Sequence, residues 1–188
     1  MHQIYEGQLV RLRPFRSEEE VLRIFSEENR TPNAHWGPYH ETVPAVRRDY
    51  ADNGMISENG RRMYCIERLD SGEVVGYEEV GPLTLPRLTA WIGTFIRPEH
   101  QRRGFGMEAK QLLISMLFEN HPLQTVMADT VWTHERARRG LELCGMRCLG
   151  IRPCCHYRRG DWVSVIYFQI TRSEWEAMDY RHRVRRAG

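Results

Sequence analysis

Ile96-Arg97-Pro98-Glu99-His100-Gln101-Arg102-Arg103-Gly104-Phe105-Gly106-Met107-Glu108-Ala109 is the stretch on which the fold turns. Ahead of it, Leu88 to Ile96 reads as an apolar strand. Behind it, Met107, Leu112, Leu113, Met116 and Leu117 recur at helical spacing and mark the apolar face of an amphipathic helix. Strand, glycine loop, helix is a physical recipe for holding phosphate. The first N–H groups of a helix have no partner within it, and the helix dipole favours an anion there. Gly104 and Gly106 let the backbone approach a ligand with no Cβ in the way. Arg102 and Arg103 add positive charge at the loop mouth.

Spacing excludes two other phosphate motifs. No Lys-Ser or Lys-Thr follows the glycines, so the loop is not a P-loop. The dinucleotide fingerprint needs a third glycine opening a parallel βαβ unit, and the loop has only Gly104 and Gly106. On the glycines alone, a tight strand-to-helix turn that binds nothing has the same spacing.

Outward from the loop the chain reads as mixed α and β. Leu9 to Phe15 alternates as a strand. Ser17 before Glu18-Glu19-Glu20 is a capping-box start, and Val21, Leu22 and Phe25 continue it as a helix. Residues 30–43 hold two prolines and one glycine among His35, Trp36, Tyr39 and His40 and form a loop rich in rings. A second helix is expected from Pro44 through Tyr50. Strands follow at Arg62 to Leu69, Val74 to Val80 and Leu88 to Ile96, with turn signals at Asp70-Ser71-Gly72 and Gly81-Pro82.

At 188 residues the chain fits one domain with a core of its own. We expect that domain over residues 1–176, with 177–188 as a basic, flexible tail. No apolar run approaches the roughly 20 residues that span a bilayer, and Met1 to Arg13 has no signal-peptide core. A cytoplasmic protein without a membrane partner is the expectation. A net charge of +2 argues against a dedicated nucleic-acid binder, and the local arginine clusters suit a small polyphosphate. Five cysteines, an odd number, point to reduced thiols. Cys144, Cys148, Cys154, Cys155 and His156 lack the paired turns of a structural zinc site, so no metal is expected.

Gln101-Arg-Arg-Gly-Phe-Gly106 resembles the Gln/Arg-x-x-Gly-x-Gly/Ala signature of the GNAT acyltransferase superfamily. More of the chain resembles its ribosomal-protein N-acetyltransferase (RimJ/RimL-like) branch. Arg97-Pro98-Glu99 and Glu108-Ala109 sit at that branch's Pro-Glu and Glu-Ala, and Leu143-Cys144-Gly145-Met146 resembles its Lys-Leu-Gly-Phe. Trp162 to Tyr167, with Glu174-Trp175, resembles its closing strand and Glu-Trp ending. The likeness runs from Leu9 to Trp175.

The resemblance implies an α+β GNAT fold: a mixed, mostly antiparallel sheet, flanked by helices and splayed between the strand ending at Ile96 and the strand near Thr125 to Val131. It implies acetyl-CoA as acyl donor and a primary amine as acceptor, either a protein N-terminus or a small molecule. The cofactor arm would pair with the backbone of Thr94, Phe95 and Ile96, and the pyrophosphate would rest on the N–H groups of Gln101, Arg102, Arg103, Gly104, Phe105, Gly106 and Met107. Positioning the amine against the thioester supplies much of the rate.

The departures from the family pattern matter as much. His134 stands where the branch has an Asn that touches the cofactor arm. Ala137 replaces a Ser that serves the thiolate, and Leu141 falls at the tyrosine used elsewhere in the superfamily. His134 or water is left as proton donor. The position that can carry a catalytic carboxylate, ten residues past Met146, is His156, an imidazole suited to take a proton near neutrality. Glu78 and Glu79 are rival bases, one of which must face the cleft; on charge grounds a solvated face is expected for either. Trp36 and Tyr39 are expected on the acceptor side, rings offering contact at low entropy cost. Two other readings stay open: a donor such as an aminoacyl-tRNA, and a catalytically idle acyl-CoA-binding module. Either leaves room for a homodimer.

Overall fold

The structure, a computed structural model, describes residues 4–30, 42–58, 60–83, 88–158 and 160–187. Ser17 accepts from the Glu20 N–H at 3.3 Å and starts helix α1 (Glu18–Arg30), half of the expected capping box; the Glu20 carboxylate reaches back to the Arg16 N–H at 2.9 Å. Thr42 caps α2 (Val43–Asn53) through Ala45 N–H, with Pro44 in its first turn, and Gly54 ends it in the left-handed conformation (φ 61°). Strands β1 (Ile4–Glu6) and β2 (Val10–Arg13) precede these helices; β3 (Arg62–Arg68), β4 (Val74–Val80) and β5 (Thr89–Ile96) follow them. Helix α3 (Phe105–Asn120), β6 (Thr125–Val131), α4 (Glu135–Leu143), β7 (Arg147–Arg158), β8 (Asp161–Thr171), α5 (Arg172–Glu176) and β9 (Arg185–Ala187) complete the order.

The strands form one sheet in the order β7-β8-β6-β5-β4-β3-β2-β1-β9. Every pairing is antiparallel except β5 with β6. That parallel ladder is short: Thr89, Ala90 and Trp91 pair with Thr125, Val126 and Met127, and there it stops. Ile92 to Ile96 pair only with β4, and Ala128 to Val131 only with β8. The sheet therefore splays from Trp91 onward, a mixed, mostly antiparallel α+β architecture.

The two faces of the sheet are covered differently. On one, Ala90, Ile92, Val126, Ala128, Ile166, Phe168 and Ile170 pack with α3 and with Leu141 of α4 in the larger core. On the other, Met63, Cys65 and Tyr77 pack with Val21, Ile24 and Phe25 of α1 and Val46 of α2. Leu112, Leu113, Met116 and Leu117 are buried as expected, whereas Met107 is 37% exposed. The buried stripe starts at Phe105 and Ala109, and Met107, two residues after Phe105, falls on the other side of the turn. From Leu112 to Phe118, α3 is buried all round, with Trp175 of α5 stacked on Phe118 at 5.3 Å and donating to Ser115.

The tail also differs from expectation. Residues 179–183 form a 3-10 turn that buries Tyr180, and β9 pairs with β1 at the far edge of the sheet. Arg186 donates to Glu119 at 2.7 and 3.0 Å. The basic composition suggested a solvated end, but one tyrosine and one acidic partner are enough to dock it. Among the described residues no helix is long and apolar enough to cross a membrane.

Candidate active site

The end of β5 and the start of α3 frame the glycine loop. Arg97 is tied to Glu27 of α1, to Glu73 and to Glu99, and it donates to Val74 O at 3.1 Å, which fixes the end of β5. A 3-10 turn over Pro98–His100 follows, and Gln101 folds back to donate to Ile96 O at 2.9 Å. Arg102 (φ 64°) and Gly104 (φ 86°) are left-handed, and no side chain caps α3. Met107 N–H bonds to Gly104 O at 3.1 Å, whereas among the described residues the N–H groups of Phe105 and Gly106 have no partner, next to the exposed Arg102 and Arg103. A Cβ on Gly106 would stand 3.0 Å from Ile96 Cγ1, so a larger residue would fill the space between helix and strand.

Glu108 anchors this end of the helix. Its carboxylate accepts the N–H groups of Gln8, Leu9 and Val10 at 2.7 to 2.8 Å, which locks the β1–β2 turn beneath the loop. Leu9 Cδ1 in turn lies 3.3 Å from where a Gly104 Cβ would be. The Glu of the Glu-Ala pair thus has a structural reason: it ties α3 to the turn on which the loop rests.

From the loop, the gap between β5 and β6 runs inward. Thr94, Phe95 and Ile96 border it on the β5 side. At its far side His134 stands just ahead of α4, with Nδ1 3.3 Å from Thr130 Oγ1. Ala137 is half-buried and Leu141 buried, and neither side chain can give a proton.

The two glutamates of β4 part company. Glu79 points to the face shared with Tyr77 and is partly exposed, with Arg61 at 4.0 Å. Glu78 overturns the expectation of a solvated face. It is fully buried on the α3 side, where Thr94 Oγ1 donates to its Oε2 at 2.7 Å, and Oε1 has no hydrogen-bond partner among the described residues. Burial pushes its carboxyl up to about 8, against opposing effects of Lys110 and Thr94, so it is mostly protonated at neutral pH. The alternation of β4 made one of the pair face α3, and helix α3 seals that side.

On the opposite face, register sets a row across the splay. Glu79 of β4 pairs with Gly93 of β5, and two residues past the last parallel pair Gly93 looks across the gap to Asp129 of β6. Asp129 pairs with Tyr167 of β8, whose ring meets Trp91 edge-on at 6.1 Å. His156 reaches the same face from β7, in register with Val163. The sequence reading missed Asp129; the alternation Val126, Ala128, Thr130 against Met127, Asp129, Val131 could have placed it there. Trp36 and Tyr39 lie outside the described residues.

Residues 10–147 match the acetyltransferase (GNAT) domain family. The chain belongs to the GNAT acetyltransferases. It is 24% identical over 157 residues to the uncharacterized N-acetyltransferase YnaD of Bacillus subtilis (strain 168), covering 84% of this chain and 76% of that one. Its fold is that of the spermidine N-acetyltransferase of Vibrio cholerae solved with CoA and spermine (TM-score 0.78, 19% identity, 89% of this chain and 98% of that one). It is also that of RimL, a ribosomal L7/L12 alpha-N-protein acetyltransferase solved with CoA (TM-score 0.77, 14% identity, 89% and 97%). This GNAT chain is an N-acetyltransferase that depends on acetyl-CoA.

Proposed function

We propose that this GNAT enzyme moves the acetyl group of acetyl-CoA to a primary amine by direct attack in a ternary complex, in the manner of the ribosomal-protein (RimJ/RimL-like) branch. The observation that carries the reading is a parallel ladder that ends at Trp91 and Met127 and opens a gap leading to an uncapped helix N-terminus. CoA in the solved relatives named above supports the same occupant.

In this reading the pyrophosphate rests on the N–H groups of Gln101 to Met107, flanked by Arg102 and Arg103, and the arm lies along Thr94, Phe95 and Ile96. The amine arrives on the opposite face, where Glu79, Trp91, Asp129, Tyr167 and His156 stand, with Trp36 and Tyr39 completing the acceptor side. His156 takes the ammonium proton, directly or through water. The neutral nitrogen attacks the thioester carbonyl, the C–N bond forms, the C–S bond breaks, and the nitrogen gives its second proton to solvent as the amide forms. The departing thiolate takes its proton from His134 or from water.

The acceptor's basicity sets how much the base contributes. A lysine amine with pKa about 10.4 is neutral about once in a few thousand molecules at pH 7, and a peptide α-amine near 8 about one time in ten. An α-amine therefore needs less help. The test is a panel of donors, acetyl-CoA, propionyl-CoA and an aminoacyl-tRNA, against peptide N-termini, polyamines, lysine and amino acids, read by mass spectrometry. Acetyl transfer from acetyl-CoA to an amine is the expected result. Transfer only from the tRNA donor, or transfer to no amine while CoA still binds, would overturn the reading.

A further inference from the structure

The glycine loop is held from two sides. Glu108 ties it to the β1–β2 turn, and a second carboxylate, Glu73, reaches it from the turn between β3 and β4. Two backbone bonds close that turn: Gly72 N–H to Arg68 O at 3.0 Å and Arg68 N–H to Glu73 O at 2.9 Å, with Gly72 left-handed at φ 71°. Glu73 is thereby fixed just ahead of β4, beside the end of β5, where Arg97 N–H donates to Val75 O at 2.9 Å.

The two oxygens of Glu73 divide three partners. Oε1 lies 3.2 Å from His100 Nε2 and accepts from Arg97 at 3.4 Å, and Oε2 lies 3.6 Å from an Arg68 nitrogen. Each partner meets a different part of the loop. Arg97 follows β5 directly, and His100 ends the 3-10 turn before Gln101. Arg68 lies over the ring of Phe105, the first residue of α3, 5.4 Å from its centroid. The His100 ring approaches the same phenyl ring at 6.5 Å. Phe105, whose N–H is one of the two without a partner at the helix start, is thus flanked by two of the groups that Glu73 gathers.

An isolated ion pair at a surface is worth little, and the Glu73 side chain is 42% exposed. This network differs because its cations are withdrawn from water: the side chains of His100, Arg97 and Arg68 are 8%, 16% and 20% exposed, and one carboxylate serves all three. His100 Nδ1 is buried with no hydrogen-bond partner among the described residues, so the ring is oriented from its Nε2 side.

We infer that Glu73 is a positioning residue for acetyl-CoA: it draws Arg68, Arg97 and His100 together and so holds the glycine loop and the first turn of α3 in the form that receives the pyrophosphate. The inference rests on the reading of that loop as the pyrophosphate site. Glu73 acts through the loop and not on the cofactor. Its charge gives the role a definite sign. By charge alone a carboxylate beside an anion site opposes CoA, and neutralising it would tighten binding. A positioning Glu73 has the opposite effect, since its loss loosens the loop.

The experiment compares wild type, Glu73→Gln, His100→Ala, the double variant and Gly104→Asp by titration calorimetry with CoA and by acetyl transfer to the amine that the donor panel identifies. Glu73→Gln should fold, because Arg68 keeps Asp70 at 2.9 Å and Arg97 keeps Glu27 and Glu99. It should bind CoA about tenfold more weakly and raise the KM for acetyl-CoA by a similar factor, with kcat within about threefold of wild type. His100→Ala should weaken CoA in the same direction, and the double variant should be little worse than either alone, because the two residues act through one contact. Equal or tighter CoA binding in Glu73→Gln would overturn the inference. So would a lower thermal midpoint with CoA affinity and KM unchanged, the mark of a residue that only stabilises. Losses that multiply in the double variant would overturn the joint action of Glu73 and His100. Gly104→Asp separates the two readings: unchanged CoA affinity there would bring down the loop as pyrophosphate site, whereas weakening in Gly104→Asp without weakening in Glu73→Gln would bring down the role of Glu73 alone.

Discussion

Glu78 is where residue chemistry departs furthest from what a charged letter suggests. A carboxyl with an ordinary value of 4.5 is raised by burial to about 8 in the folded protein. Between those values the native state holds a proton that the unfolded chain has lost, so this group makes stability fall as pH rises from about 4.5 to about 8. Over the span from 4.5 to pH 7 the cost is on the order of 3 kcal/mol. Glu78→Gln keeps an oxygen for Thr94 and removes the titration. Urea denaturation from pH 5 to 8 should show the wild type losing stability with pH and the variant much flatter. Equal slopes would mean that the carboxyl is not buried as described. Asp129 makes the complementary point, since its place at the splay depends on the strand register around it. The alternation of β6 could put Asp129 on the face opposite α3 but not at the edge of a gap, because that depends on where the β5–β6 ladder ends.

At the level of elements, local signals were largely sufficient. Ser17 and the glutamates after it specify the start of α1, Thr42 and Pro44 that of α2, and the glycine loop that of α3, each through a cap or a turn read within a few residues. What local reading could not supply was docking across the chain. The last residues, rich in arginine, gave no apolar period, yet Tyr180 is buried with its hydroxyl donating to Cys144 O at 3.2 Å, and β9 closes the sheet edge beside β1. The partners lie in α3, at the end of α4 and at the other end of the chain, too far away in sequence for any window to see. Deleting residues 177–188 should therefore lower the thermal midpoint by about 10 °C, from the lost tyrosine burial and the bared β1 edge. Calorimetric scanning of the truncated and full chains decides this. An unchanged midpoint would show the segment to be a free tail after all.

For the molecule as a whole, strand order converts a short motif into a working site. The glycine signature made the start of α3 legible as a candidate anion site because helix N-termini bind anions by a mechanism that nearby residues reveal. The acceptor face was less legible, because it is assembled from β4, β5, β6, β7 and β8, and only their pairing brings Glu79, Gly93, Asp129 and His156 to one side. We propose that one continuous path, from the uncapped start of α3 into the β5–β6 gap, holds acetyl-CoA. Titration calorimetry with CoA on wild type, Gly104→Asn and Gly104→Asp tests it most directly. Asn and Asp have the same shape and are the side chains that best tolerate the left-handed backbone of this position, so their difference isolates charge. The account predicts that Gly104→Asp binds CoA at least about tenfold more weakly than Gly104→Asn, because a carboxylate would oppose the pyrophosphate at the helix start. Equal affinity for all three folded proteins would contradict it.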